Sequence, residues 1–155
     1  MKILFWIGRA GFFSSLIRVF KRYGISHCEI QFSDGACGTA YPGTGIVLRS
    51  LEVKPGDWYV IDVPCSLETE NLVRQFFLAE MGCGYDFWGL VCAQVFGWNW
   101  QSKTKWFCSE ACTAALVPAI PSLKSQVPCR VDPARLARLI EACPEMKTWN
   151  ASPIG

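Results

Sequence analysis

The alternation of apolar and polar positions predicts that the first part of the chain forms β-strands. An unbroken apolar run over residues 3–7 is typical of a buried strand. Residues 27–32 alternate strictly, which predicts a strand whose polar face carries His27, Glu29 and Gln31. Further strands are predicted over residues 37–41, 46–51 and 58–63, with turns at Asp34-Gly35 and at residues 54–57.

The second part of the chain has the periodicity of amphipathic helices. Helices are predicted over residues 66–81, 87–96 and 133–142, with Ser66, Asp86 and Asp132 as caps, and another begins at Cys108. A basic amphipathic helix over residues 12–22 is expected to pack on the sheet rather than on a membrane surface. Residues 118–128 are expected to be irregular. The pattern therefore predicts an α+β fold with an antiparallel sheet packed against helices.

Composition limits the class of protein. The 155 residues are expected to form one domain, strand-rich over 1–65 and helix-rich over 66–142, with a tail over 143–155. Apolar residues make up 51% and charged residues 18%, which excludes a disordered chain. A net charge of +2 without a long basic run gives no indication of nucleic-acid binding. No apolar stretch approaches the roughly 20 residues that a membrane span needs.

The nine cysteines indicate a reducing compartment. Their number is odd, they lack the regular spacing of a disulfide scaffold, and no Cys-x-x-Cys pair occurs. The apolar run over residues 3–7 is too short for a signal peptide, so a cytoplasmic protein is expected. We expect neither a cofactor nor a metal. Zinc held by His27 with Cys28 or Cys37 is the alternative, but His27 and Cys28 are strand neighbours that point to opposite faces and cannot easily share one ion.

Cys108 is the candidate nucleophile. It follows a short strand-like segment and stands where a helix should begin, and the positive end of a helix dipole favours a thiolate. Ser109 is expected to help cap that helix, and Glu110 places an anion in its first turn. An inert buried cysteine is the alternative.

His27 is the only histidine and the candidate general base for Cys108. Glu29, two residues later on the same face, is the favoured residue to orient the imidazole. If Asp34-Gly35 is a two-residue turn, the residues opposite this face are Pro42, Ala40 and Gly38, which cannot hold a ring. A one-residue shift in register would instead present Thr39 and Tyr41, and Thr39 is the second choice.

An oxyanion would need hydrogen-bond donors close to Cys108. The backbone N–H of Cys108 at its helix start is the first choice. Tyr85 and Ser109 are further candidates for contacting substrate or oxyanion, although Tyr85 could equally serve only in packing.

Four motifs, with the histidine preceding the cysteine, resemble those of one known family. The chain is similar to the circularly permuted branch of the papain-like NlpC/P60 superfamily, which includes YiiX-like and poxvirus-type proteins and the lecithin retinol acyltransferase group. Such small proteins are often encoded by phages and prophages. The resemblance covers roughly residues 3–116, and the motifs that carry it are Ser26-His27-Cys28-Glu29-Ile30, Ser33-Asp34-Gly35, Tyr85-Asp86-Phe87-Trp88-Gly89 and Trp106-Phe107-Cys108-Ser109-Glu110.

The resemblance implies a thiol hydrolase. Cys108 would be the nucleophile, His27 the general base and acid, and an acidic or polar residue the orienting group. The expected substrate is an amide or peptide-like bond, such as that of a peptidoglycan peptide. The alternatives are a lipid thioesterase or acyltransferase, which the many aromatic residues would suit, and a non-catalytic phage structural or host-interaction protein.

Overall fold

A computed structural model describes residues 1–8, 24–54, 56–87, 104–144 and 146. Its described part is an α+β fold in which an antiparallel sheet packs against helices, as the sequence predicts. The helices predicted over residues 12–22 and 87–96 lie outside the described residues, apart from Phe87. Within the described residues, no helix is long and apolar enough to cross a membrane.

Five antiparallel strands form the main sheet, in the order β4-β3-β2-β1-β5. β1 lies between β2 and the edge strand β5, and β2, β3 and β4 follow one another on its other side, so the strand that carries His27 is the central one of the five. The strands are β1 (Lys2–Trp6), β2 (His27–Gln31), β3 (Ala36–Tyr41), β4 (Gly45–Ser50) and β5 (Trp58–Asp62).

The hairpin between β2 and β3 has a three-residue loop, so of the two registers left open by the sequence the one shifted by one residue is adopted. Gly35 N–H donates to the Phe32 carbonyl at 3.0 Å, and Phe32 N–H donates to the Ala36 carbonyl at 2.8 Å. Gly35 has φ = 86°, the left-handed conformation that closes a three-residue hairpin after a tight turn. The register therefore shifts by one residue and pairs Gln31 with Cys37.

Three α-helices lie in the described part of the chain, and two of them have the predicted caps. Ser66 accepts from Thr69 N–H at 3.1 Å, and Asp132 accepts from Arg135 N–H at 2.7 Å. Residues 118–128, predicted to be irregular, contain a 3₁₀ turn, Pro121–Ser125, and a second turn, Pro128–Arg130, follows. The helices are α1 (Leu67–Ala79), α2 (Cys108–Ala115) and α3 (Pro133–Ala142).

A short two-stranded parallel sheet directly precedes the start of α2. β6 (Gly84–Tyr85) pairs with β7 (Lys105–Trp106), and Cys83 carbonyl accepts from Ile46 N–H at 3.0 Å, which ties this ladder to β4. Gly45 has φ = 76°, and a Cβ there would lie 1.9 Å from the Cys83 carbonyl oxygen. The two segments can meet so closely only because residue 45 is glycine.

The core lies between the sheet and the helices. Cys28 and Ile30 of β2 belong to the same buried cluster as the apolar side of α2. The apolar residues of α2 and of its C-terminal cap are each at most 1% exposed: Ala111, Cys112, Ala115 and Leu116. These side chains are mostly small, and at roughly 25 cal/mol for each Å² of apolar surface removed from water their packing stabilises the contact of α2 with β2.

Candidate active site

His27 and Glu29 form a buried pair on β2. His27 Nε2 lies 3.0 Å from Glu29 Oε1, although the residues are two positions apart. Same-face neighbours along a strand can meet in this way when the acidic side chain is long enough to fold back. His27 is 3% exposed and Glu29 is fully buried, so this polar face of β2 does not look into solvent.

Arg49, which no local sequence pattern indicates, is the second partner of the Glu29 carboxylate. It lies on β4, two strands away from β2. Its Nε donates to Glu29 Oε2 at 3.3 Å, and its Nη2 donates to Glu29 Oε1. Glu29 Oε1 is thus shared by His27 and Arg49. Burial would raise the pKa of Glu29, but the hydrogen bonds from His27 and Arg49 outweigh it and hold that pKa below its ordinary value.

Aromatic rings enclose the imidazole and the guanidinium. The Tyr41 ring lies edge-on to His27, with centroids 6.1 Å apart, and the Trp58 ring lies 6.5 Å away. The Arg49 guanidinium carbon lies 4.7 Å from the Tyr41 ring centroid, within the range of a cation–π contact. His27 and Glu29 are therefore kept from water, which strengthens the attraction of Glu29 to His27 and Arg49, although the Arg49 side chain itself stays partly exposed.

Cys108 is the first residue of α2 and is 4% exposed. Phe107, the residue before it, is the helix cap, and its N–H donates to Glu110 Oε2 at 3.4 Å. The predicted anion in the first turn is therefore Glu110. The capping role predicted for Ser109 is wrong, because Phe107 holds the cap position and the Ser109 hydroxyl has no hydrogen-bond partner among the described residues.

The structure brings Cys108 against both His27 and Cys28, the first two residues of β2. A hydrogen bond from the Cys28 thiol and the positive charge of His27 lower the pKa of Cys108 well below that of an ordinary thiol, although burial opposes them. Burial alone would lower the pKa of His27, but Cys108 and Glu29 outweigh it and raise that pKa to about 9. Both shifts favour a thiolate–imidazolium pair at neutral pH.

The neighbouring thiols behave differently from Cys108. Cys28 and Cys112 are fully buried, and the Cys112 thiol donates to the Cys28 carbonyl at 3.8 Å. Burial raises the pKa of both thiols, and it raises the pKa of Cys37 on β3 to about 12. Cys108 is the one thiol of this group whose pKa moves down, so it is the one whose thiolate form the environment favours.

The remaining predicted residues occupy different positions. Tyr85 lies near Cys108, and burial together with the charge of Cys108 raises its pKa, so its hydroxyl stays protonated and can donate. Thr39 is fully buried and donates to the Cys28 carbonyl at 2.8 Å rather than to the imidazole. Thr39 therefore fixes the backbone beneath the site, while Glu29 holds the ring.

The chemistry of the site is that of a charge-balanced Cys–His–Glu–Arg chain. Nε2 of His27 is engaged by Glu29, so Nδ1 is the nitrogen that can exchange a proton with Cys108. In the described part of the chain, no group of three or more His, Cys, Asp or Glu side chains could hold a metal ion.

Comparison with known proteins adds no relative to this picture. A scan against protein-family models finds no match, and neither do searches of the curated proteins and of the solved structures. The functional conclusion therefore depends on the geometry and electrostatics of the site itself.

Proposed function

We propose that the protein is a cysteine hydrolase that cleaves amide or peptide-like bonds through a thioester at Cys108. The observation that carries the proposal is the pairing of a helix-start cysteine with a histidine whose Nε2 is held by a buried carboxylate. The opposite pKa shifts of Cys108 and His27 support it, because a resting thiolate needs no further base to attack a carbonyl.

The first chemical step is attack of the Cys108 thiolate on the carbonyl carbon. The carbonyl oxygen becomes an oxyanion, which requires preorganised donors nearby. The first turn of a helix has backbone N–H groups without partners inside the helix, and Cys108 occupies that turn. The hydroxyl of Tyr85, whose pKa is raised by burial and by the charge of Cys108, is the candidate for a second donor.

The second step is departure of the amine, which needs a proton. The imidazolium of His27 supplies it, and collapse of the tetrahedral intermediate leaves a thioester on Cys108. Neutral His27 then takes a proton from water, whose oxygen attacks the thioester and releases the acid. Glu29 keeps the ring oriented through both proton transfers and stays ionised itself.

We further propose that the chain belongs with the circularly permuted NlpC/P60 proteins. Three features support this: the histidine strand precedes the cysteine helix, the sheet is antiparallel, and the nucleophile helix packs on the histidine strand. A non-catalytic protein would have no reason to keep an intact thiolate–imidazolium pair with its carboxylate, since such groups are costly to bury.

Thiol labelling tests the proposal. Iodoacetamide is applied from about pH 5 to about pH 9, and the labelled peptides are read by mass spectrometry. Cys108 should react quickly well below the ordinary thiol pKa of about 8.5. His27→Ala should remove that reactivity, and Cys112→Ser, a change one helical turn away, should leave it intact.

Substrate panels follow from a positive result. Peptide amides and acyl esters are offered separately, and an acyl adduct on Cys108 is sought by intact mass. Turnover of amides that Cys108→Ala abolishes supports the hydrolase, whereas turnover restricted to long-chain acyl esters would replace it with an acyl-transfer function. Uniform slow labelling of all thiols would contradict the proposal.

A further inference from the structure

Arg49 engages both oxygens of the carboxylate that holds the histidine. Its Nε and Nη2 donate to the two Glu29 oxygens, in the fork geometry typical of arginine–carboxylate pairs. The side chain is 34% exposed, whereas Glu29 is fully buried. Arg49 is therefore the group that connects a buried carboxylate to the protein surface.

The arginine balances the charges of the site. Cys108 and Glu29 are negative when ionised, and His27 and Arg49 are positive. Removal of Arg49 would leave a buried cluster with a net charge of about −1, and a low-polarity environment disfavours such a cluster. A proton would then be taken up at a higher pH, either on the carboxylate or on the thiolate.

Other titratable groups also face this cluster, but they are neutral and add no charge to it. Cys37 on β3 and Cys112 on α2 interact with Glu29, and burial raises the pKa of both, so they stay neutral. Cys28 and Tyr85 face Cys108, and burial keeps them neutral as well. Arg49 is thus the cation, besides His27 itself, that acts on Glu29 in the described structure.

The contact with Tyr41 fixes the guanidinium. With its carbon 4.7 Å from the ring centroid, the guanidinium is held on one side by the ring and on another by Glu29. A lysine could supply the charge but not the two-pronged contact or the stacking. The arrangement therefore restricts the rotation of Glu29 and, through it, of the His27 ring.

We propose that Arg49 is a positioning residue of the active site, which keeps Glu29 ionised and fixed against the His27 imidazole. The inference rests on the proposed Cys108–His27 pair and adds a fourth member to it. It also explains why a carboxylate can be fully buried beside a histidine at this point of the sheet.

The chain offers a matched control elsewhere. Arg74 donates to Asp34 at 2.8 Å and lies 4.4 Å from the Phe32 ring centroid, so it combines the same two kinds of contact. Arg74 lies on α1, and its carboxylate partner is exposed rather than buried. Arg49→Met and Arg74→Met thus remove equivalent side chains, only one of which contacts the site.

Nuclear magnetic resonance of His27 provides the readout, since the chain has no other histidine. Protonation of a neighbouring carboxylate or thiolate changes the ring resonances even while the ring stays an imidazolium. In a pH titration this change gives an inflection on the acid side of the His27 step. Arg49→Met should move that acid-side inflection to higher pH by about one unit or more. Arg49→Lys should shift the inflection by less than half as much as Arg49→Met does, and Arg74→Met should leave it unchanged.

The outcomes separate the inference from the proposed function. The role of Arg49 alone would be overturned by two results together. The acid-side inflection of Arg49→Met would lie within about 0.3 pH unit of the wild type, and the wild-type His27 would still titrate near its raised pKa of about 9. A wild-type His27 that titrates at about 6.5 or lower would overturn both. If circular dichroism shows Arg49→Met to be unfolded, Arg49→Gln, which retains an amide donor but no charge, is judged by the same criterion.

Discussion

The exchange of Glu29 for glutamine tests how strongly the carboxylate holds the imidazolium. Glutamine keeps the length of the side chain and an oxygen that can accept from His27 Nε2, so mainly the charge is lost. At the observed 3.0 Å contact, charge centres about 4 Å apart attract by roughly 4 kcal/mol at an effective dielectric constant of about 20. That energy corresponds to about 3 pKa units.

The expected shift is smaller than this upper value. Arg49 already neutralises part of the carboxylate's charge, and the amide oxygen retains a hydrogen bond. We therefore expect Glu29→Gln to lower the pKa of His27 by roughly one to two units from its raised value of about 9. Above that lower pKa the ring is neutral, so proton donation to a leaving group should fail at lower pH than in the wild type.

The assay is the pH titration of the single histidine in a ¹⁵N-labelled sample. Glu70→Gln is the matched control, because Glu70 is also a buried carboxylate but accepts from Ser33 N–H at 2.7 Å, away from the site. It should leave the His27 titration unchanged. A His27 pKa that is the same in Glu29→Gln as in the wild type would refute the reasoning, because Glu29 would then contribute nothing to the charge of the ring.

The remaining predictions concern stability. Between about pH 6.5 and 8.5 the Cys108–His27 pair binds one proton in both the folded and the unfolded state, so its contribution to the free energy of urea unfolding should be constant there. Below about pH 6.5 the unfolded chain takes up a second proton on the histidine, so that contribution should decrease as the pH falls. Cys108→Ser should lack this decrease. Gly45→Ala should cost at least about 2 kcal/mol in urea unfolding, because its Cβ would meet the Cys83 carbonyl at positive φ. Asp132→Ala should cost about 1 kcal/mol, and Asp132→Asn much less.

Much of the described fold follows from local signals in the sequence. Strict alternation over residues 27–32 predicts β2, because only a strand places every second side chain on one face. Ser66 and Asp132 predict their helix starts because their side chains satisfy N–H groups that a first turn leaves unpaired. The position of Cys108 at the start of α2 follows from a different signal, the change from a short strand-like segment to a run of helix-forming residues.

The hairpin register shows where local signals become ambiguous. Asp34-Gly35 is equally compatible with a two-residue and a three-residue loop, and the two differ by one residue in every cross-strand pair. The three-residue loop is adopted here, with Gly35 as the residue of positive φ. The polar face of β2 was recognised correctly in either register because it depends on β2 alone.

Arg49 could not be found from the sequence because its role depends on distant pairing. It is 20 residues from Glu29 and reaches it only because β3 separates and aligns the two strands. Along its own strand, it looks like any exposed cation. The effect of Cys28 on Cys108 could not be predicted for a related reason, since Cys28 occupies an apolar position and its thiol matters only where α2 begins.

The central claim is that Cys108 and His27 form a thiolate–imidazolium pair, and one comparison tests it most directly. The pKa of His27 is measured by resonance titration in the wild type and in Cys108→Ser, which keeps the size of the side chain but no charge. The account predicts a value of about 9 in the wild type and a fall of at least about one unit in the variant. The same pKa in both proteins would contradict the pair.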